Sequence, residues 1–192
     1  IRMRGLVGGG ALPDIVYVPC RRAIWDELDR IRQIIAEHGI QYVIIDSIGM
    51  ACAGLPLTGD EAALRFYQAV RMMEVGSLCI AHRTKAEDGD RYPFGSIFFA
   101  NYARSTWFVK RESEPDPGKL NIAMYQRKAN TGPLSAPLAF EVTFGDRTVI
   151  RPRDIRAGPE LQQSAGPRAR VLAELRDGGL SRQGISENLG IE

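Results

Sequence analysis

The stretch "YVIIDSIGMACAG" at residues 42–54 decides how the chain is read. Four residues suited to a buried strand run directly into Asp46 and Ser47, and small residues and glycine come next. A carboxylate and a hydroxyl at the end of a hydrophobic run have two physical explanations. Asp46 can end the strand and cap the segment after it. Alternatively, the strand is a rigid mount that presents the carboxylate at the edge of a sheet. The flanking segments choose between them.

Upstream, Ile24, Trp25, Leu28, Ile31, Ile34 and Ile35 recur at three- and four-residue steps between Arg22 and His38, which predicts one face of a helix. Gly39 is suited to end it. "QYVIID" (41–46) then lacks polar alternation, as expected of a strand buried on both faces of a parallel sheet. Downstream, Asp60 to Met73 reads as a helix with Ala63, Phe66, Tyr67, Val70 and Met73 on one side. "SLCIAH" (77–82) is a second apolar strand, ending on His82. Strand, helix, strand in this form predicts a right-handed crossover between parallel strands. A further short strand is expected at "DIVYVPC" (14–20).

Beyond a charged loop at 83–95 the pattern changes. "STWFVKR" (105–111), "KLNIAMYQR" (119–127), "PLAFEVTF" (137–144) and "RTVIRP" (147–152) predict strands joined by turns at "EPDPGK" and "FGDR". The expected architecture is a three-layer α/β core over 1–155, its parallel central strands extended by antiparallel strands, then a linker at 156–167 and a short helical tail at 168–192. In that tail Val171, Leu172 and Leu175 share a face, "DGG" breaks the helix, and Ser181 is placed to N-cap another. Helix, Gly turn and "LSRQGISENLGI" resemble the opening of a helix-turn-helix or winged-helix module. A helical hairpin packed on the core is the competing reading.

Composition narrows the function classes. An apolar share of 44% and a charged share of 25% are those of a globular chain. No apolar run reaches the roughly 20 residues of a membrane span, and the opening "IRMRGLVGGG" has no signal-peptide pattern. Cys20, Cys52 and Cys79 are scattered among apolar neighbours, which predicts reduced thiols in a cytoplasmic protein. Neither they nor His38 and His82 have zinc-ligand spacing. The net charge of +2 is small, but Arg and Lys crowd residues 104–128 and 147–170, a pattern compatible with phosphate contacts or with a solvated surface.

In open α/β sheets ligands gather at the carboxyl ends of parallel strands, and here two such ends carry Asp46-Ser47 and His82. A hydrophobic run ending in Asp is the form of a Walker B strand, whose carboxylate holds Mg²⁺ on a nucleotide triphosphate. Taken singly, Asp46 is explained by capping and His82 as a hydrogen-bonded residue at the core edge. Their order, with a helix between them, favours a nucleotide site. "YVIIDSIG", "CIAHRTK", "PFGSIFFANYARSTWFV" and "YQRKANTGPLSAPLAFEV", in that order over residues 1–152, resemble the RecA-like ATPases of the plasmid and phage hexameric replicative-helicase type. The resemblance implies ATP and Mg²⁺ as cofactors, DNA (single-stranded or duplex) as partner, and a homo-oligomeric ring. It implies Asp46 as the magnesium ligand, supported by Ser47, and His82 as the γ-phosphate sensor. Arg104 matches the arginine finger that completes the neighbouring subunit's site. Lys128, before "TGP", matches a basic loop residue acting on that same site, although Asn130 stands where many relatives carry a following Arg.

The physics of phosphoryl transfer agrees, since it asks the protein mainly for positioning and positive charge. One required part is missing. No Gly-rich loop ending in Lys-Ser/Thr is present, because "GLVGGG" (5–10) lacks the Lys-Ser/Thr. Nor does Glu27, Glu37, Glu61 or Glu74 stand where a catalytic Glu is expected. With the chain opening on Ile1, the expectation is that both parts lie upstream and that this chain alone is inactive. The rival expectation is a non-catalytic DNA-binding regulator whose RecA-like core only oligomerises. A metabolic α/β enzyme has little support, since neither a nucleophile-base pair nor a dinucleotide fingerprint is found.

Overall fold

The computed structural model describes residues 15–83, 92–113, 117–158, 160–161, 170–171, 175, 178–179 and 181–189. The chain forms two compact units, one spanning Pro13–Arg104 and the other carrying Ser105–Glu192. Among the described residues no helix is long and apolar enough to cross a membrane.

The first unit is built from α1 (Leu28–His38), β1 (Tyr42–Asp46), α2 (Ile48–Ala51), α3 (Asp60–Met72), β2 (Gly76–Ile80) and α4 (Phe98–Tyr102). Helix α1 ends where Gly39 turns left-handed at φ 59°, a conformation glycine adopts without a Cβ penalty. Strands β1 and β2 pair in parallel, with Tyr42 opposite Gly76 and Asp46 opposite Ile80. The crossover pair expected from periodicity is therefore present. Leu28 and Ile31 of α1, Ala63 and Phe66 of α3, and Val43, Ile45 and Cys79 of the strands share one core. Phe66 is fully enclosed at its centre.

Two expectations fail here. The strands are covered on one face only: Tyr42 (56%), Ile44 (64%), Leu78 (50%) and Ile80 (41%) remain exposed. Both long helices pack on the Val43/Ile45/Cys79 side, and no described element of this unit covers the other. Among the described residues β1 and β2 therefore have helices on one face and an apolar open face on the other, and the antiparallel strands form a separate sheet instead of extending theirs. Residues 15–20 form no strand, although Ile15, Val16 and Tyr17 are apolar. Strand propensity without a partner to complete a ladder does not make a strand.

The second unit is an antiparallel meander of β3 (Ser105–Arg111), β4 (Lys119–Ala129), β5 (Leu138–Thr143) and β6 (Val149–Arg153), in that order across the sheet. Thr106 pairs with Lys128 but Trp107 with Gln126, so Arg127 is an extra residue in a β-bulge. One face carries Phe108, Tyr125, Ala123 and Ala139, packed with Ile155 and Leu161. The Tyr125 hydroxyl donates to the Leu161 carbonyl. Glu112 accepts from Arg153 Nη1 at 2.7 Å and Asn121 Nδ2 at 3.2 Å. The Tyr125 bond, with that from Arg153 Nη2 to Ala157 O at 2.8 Å, pins the residues that come after the sheet. Helix α5 (Arg182–Leu189) begins as its sequence predicts: Ser181 Oγ accepts from Gly184 N at 3.1 Å. Most of the segment expected to be helical before it, and the "GLVGGG" stretch, lie outside the described residues.

Candidate functional site

The carboxyl edge of β1 and β2 carries the candidate site. Asp46 is the last residue of β1, and Ser47 is joined to it through a cis peptide bond. By strand alternation Asp46 falls on the open face with Tyr42 and Ile44, and it is exposed, whereas Ser47 is buried. Ser47 O accepts from Ala51 N at 3.0 Å, so the hydroxyl residue opens α2. His82 lies two residues past the end of β2 and is exposed; its carbonyl accepts from Phe94 N at 2.7 Å.

A cavity of about 60 Å³ adjoins this edge, lined in part by Ile48, Gly49, Leu57, His82 and Phe94. Small-molecule sites typically enclose roughly 300–1,000 Å³, so this space suits a few waters.

The structure thus brings Asp46, Ser47 and His82 to one edge. Arg104 belongs to the same unit but lies after α4, just before β3. It is exposed, and among the described residues no carboxylate lies within ion-pairing distance of it. The ordinary surface ion pair that would explain Arg104 is therefore not found there. Lys128 sits in the second unit. It was expected in a loop, but β4 runs to Ala129 and places Lys128 in the ladder opposite Thr106, half-buried. The bulge lets the strand continue past Gln126, which explains the difference.

The groups beneath the edge are structural. Burial pushes the Cys52 thiol up to about 11, raises the Cys79 thiol and lifts the Tyr67 phenol well above its ordinary range. A raised thiol is a poor nucleophile at neutral pH, so neither cysteine suits covalent chemistry. Cys52 Sγ instead donates to the Ala62 carbonyl at 3.8 Å. Among the described residues no three His, Cys, Asp or Glu side chains converge to hold a metal. A strand-end carboxylate beside a hydroxyl residue fits magnesium, which takes one or two carboxylates and completes its shell with water and phosphate. It does not fit zinc, which needs three or four protein ligands.

Four residues, Ser96, Asp60, Tyr67 and Glu27, carry geometry that sequence reasoning gave no role. Ser96 is buried and donates to Asp60 Oδ1 at 2.7 Å. Tyr67 OH donates to Phe99 O at 2.6 Å. Glu27, also buried, takes Arg30 Nη1 at 2.8 Å and Arg21 N at 3.3 Å, and the hydrogen bond from Arg30 is the main reason its carboxyl titrates below the usual range. The Gly-Ser pair ahead of "IFFANY" was a visible signal for Ser96, since a hydroxyl before an apolar run marks a helix start. The other contacts are long-range or reach back from a helix into a loop, and left no local signature.

No protein-family model matches this chain, and no curated protein matches it.

Proposed function

We propose that this chain is the C-terminal part of a RecA-like NTPase that binds and hydrolyses ATP and acts on DNA, of the hexameric replicative-helicase type. One observation carries the reading. Adjacent parallel strands, joined through a crossover helix, end in Asp46-Ser47 and lead to His82 at a common edge. That is where the rules of α/β sheets put a ligand. Asp46 holds Mg²⁺ and Ser47 supports it or the attacking water. His82 senses the γ-phosphate and passes its loss to the loop that leaves β2. Arg104, with Lys128, supplies positive charge to the site of the next subunit. Magnesium-bound ATP supplies the electrophilic phosphoryl group. The phosphate-cradling loop and the general base come from outside these 192 residues, so the reading makes this chain inactive by itself.

A second reading, a DNA-binding regulator with a silent core, draws on the helix-turn-helix-like sequence pattern of the tail. The two separate in one experiment. ATP hydrolysis is measured on the full gene product that contains this chain, with and without single-stranded DNA, beside Asp46→Ala. Asp46 is exposed and makes no ion pair among the described residues, so its removal should change stability by no more than about 0.5 kcal/mol. DNA-stimulated hydrolysis that disappears in the variant supports the motor. A folded product that binds DNA but hydrolyses nothing supports the regulator.

A further inference from the structure

Arg104 stands two residues past α4, a helix of only five residues. A helix this short does not hold itself in water; its order has to come from packing. The structure shows where that order comes from. Ser96 Oγ donates to Asp60 Oδ1 at 2.7 Å, in the first turn of α3, and accepts from Phe98 N at 3.2 Å, at the start of α4. One buried hydroxyl therefore joins the first turns of two helices. The bond to Asp60 is charge-assisted and among the stronger kinds. Ser96 N also donates to Leu57 O at 2.8 Å, and Phe94 N to the carbonyl of His82 at 2.7 Å, tying the same segment to the exit of β2.

Further along α4 the attachment is aromatic. Tyr67 OH donates to Phe99 O at 2.6 Å, the Tyr67 and Tyr102 rings lie 5.8 Å apart, and Arg71 sits 5.9 Å over the Tyr102 ring. Phe66 meets Phe99 edge-on at 6.2 Å. Both ends of α4 are thus fastened to α3, and Arg104 extends from the fastened helix without a carboxylate partner among the described residues.

We propose that Ser96 and Tyr67 are positioning residues for Arg104: they clamp α4 to α3 so that the backbone at Arg104 is held in place and its side chain reaches from a fixed root toward an anionic phosphate on a neighbouring copy. The inference rests on the proposed role of Arg104, and it gives a physical reason for committing a buried hydroxyl and a half-buried phenol to one short helix. A mobile segment loses backbone freedom on each engagement, whereas a fastened helix has lost that part in advance and leaves only the side chain to be ordered.

The test has a structural arm and a kinetic arm. Hydrogen exchange on the 192-residue chain compares wild type, Ser96→Ala and Tyr67→Phe. The clamp predicts about tenfold faster exchange of the amides of 98–104, the effect of losing one strong hydrogen bond, with α1 unchanged. Unchanged exchange at 98–104 in both variants overturns the clamp whatever the protein hydrolyses. In the full gene product, each variant should lower kcat about tenfold and leave KM for ATP unaltered. Mixing with Asp46→Ala subunits, which keep an intact Arg104, should restore activity. A rise in KM, or no recovery on mixing, places the damage in the variant's own site and overturns the positioning role. Absence of hydrolysis in wild type sinks the ATPase reading and the role of Arg104 with it, while the exchange result still judges the clamp.

Discussion

Gly95 offers a sharp test of how the segment after β2 is docked. Its φ is +113°, a region side-chain-bearing residues rarely enter, and a Cβ added there would lie 2.5 Å from the Leu57 carbonyl oxygen. Gly95→Ala therefore carries two costs. Holding alanine at this φ costs of order 1–3 kcal/mol. Relieving the contact means moving backbone against backbone, which takes with it the Ser96 N to Leu57 O bond, worth about 1 kcal/mol. Together they come to about 2–4 kcal/mol. Gly54 is the control: its φ is +92°, but nothing lies within 4 Å of its would-be Cβ, so Gly54→Ala carries the conformational cost alone. The assay exploits the two tryptophans, Trp25 in the first unit and Trp107 in the second. In a Trp107→Phe background, fluorescence through a urea titration reports the unit that holds Gly95. With a urea dependence of about 1–3 kcal/mol per molar, Gly95→Ala should lower the midpoint by roughly 1–2 M, and Gly54→Ala by clearly less. Equal shifts in the two variants would refute the claim that the approach to Leu57 matters. An unshifted Gly95→Ala would refute the docking altogether.

Other consequences arise from burial and capping. The Cys52 thiol, pushed up by burial to about 11 from an ordinary 9.0, favours the protonated form in the folded state. Its contribution to stability is complete below pH 9 and is lost as pH rises through 11, by roughly 2–3 kcal/mol in all. Urea midpoints read from Trp25 should fall over that interval, and fall less in Cys52→Ala; an identical pH profile in the two would contradict the assignment. Ser181→Ala removes the oxygen that accepts from Gly184 N and should weaken α5 by about 0.5–2 kcal/mol. Exchange of the Ile185 amide, bonded to Ser181 O at 3.0 Å, is the measurement, and an unaltered rate would count against the cap.

Much of the fold was legible because its signals are periodic or local. The apolar recurrence in α1 and α3, the unbroken runs of β1 and β2, and the turn residues between the later strands all led to the elements observed. Short helices α2 and α4 were not legible, since a helix of about one turn does not establish a period. Nor was the open face of β1 and β2. An apolar run says that a strand avoids water on both sides in the finished assembly, not that this chain supplies both covers. Asp46, Ser47 and His82 could be assigned to one edge from the order of elements alone. The Ser96 and Tyr67 contacts span 36 and 32 residues and depend on helices meeting in space. The bulge at Arg127 is equally silent in sequence, and it alone decides which residue of β4 faces Thr106.

The parallel pairing of β1 with β2 also sets a kinetic order. Every partner in that ladder is separated by 34 residues, as Tyr42 and Gly76 are, whereas Arg111 and Ile122 close the first antiparallel hairpin over 11. Loop-closure entropy grows as about (3/2)RT ln n, so the wider ladder starts roughly 1 kcal/mol behind. It also gains no hydrogen bond until α3 has crossed back. Chains dominated by such distant pairings fold slowly. The meander can grow hairpin by hairpin, while the edge that carries Asp46 and His82 waits for a long crossover. The candidate site is therefore the late-forming part of the molecule.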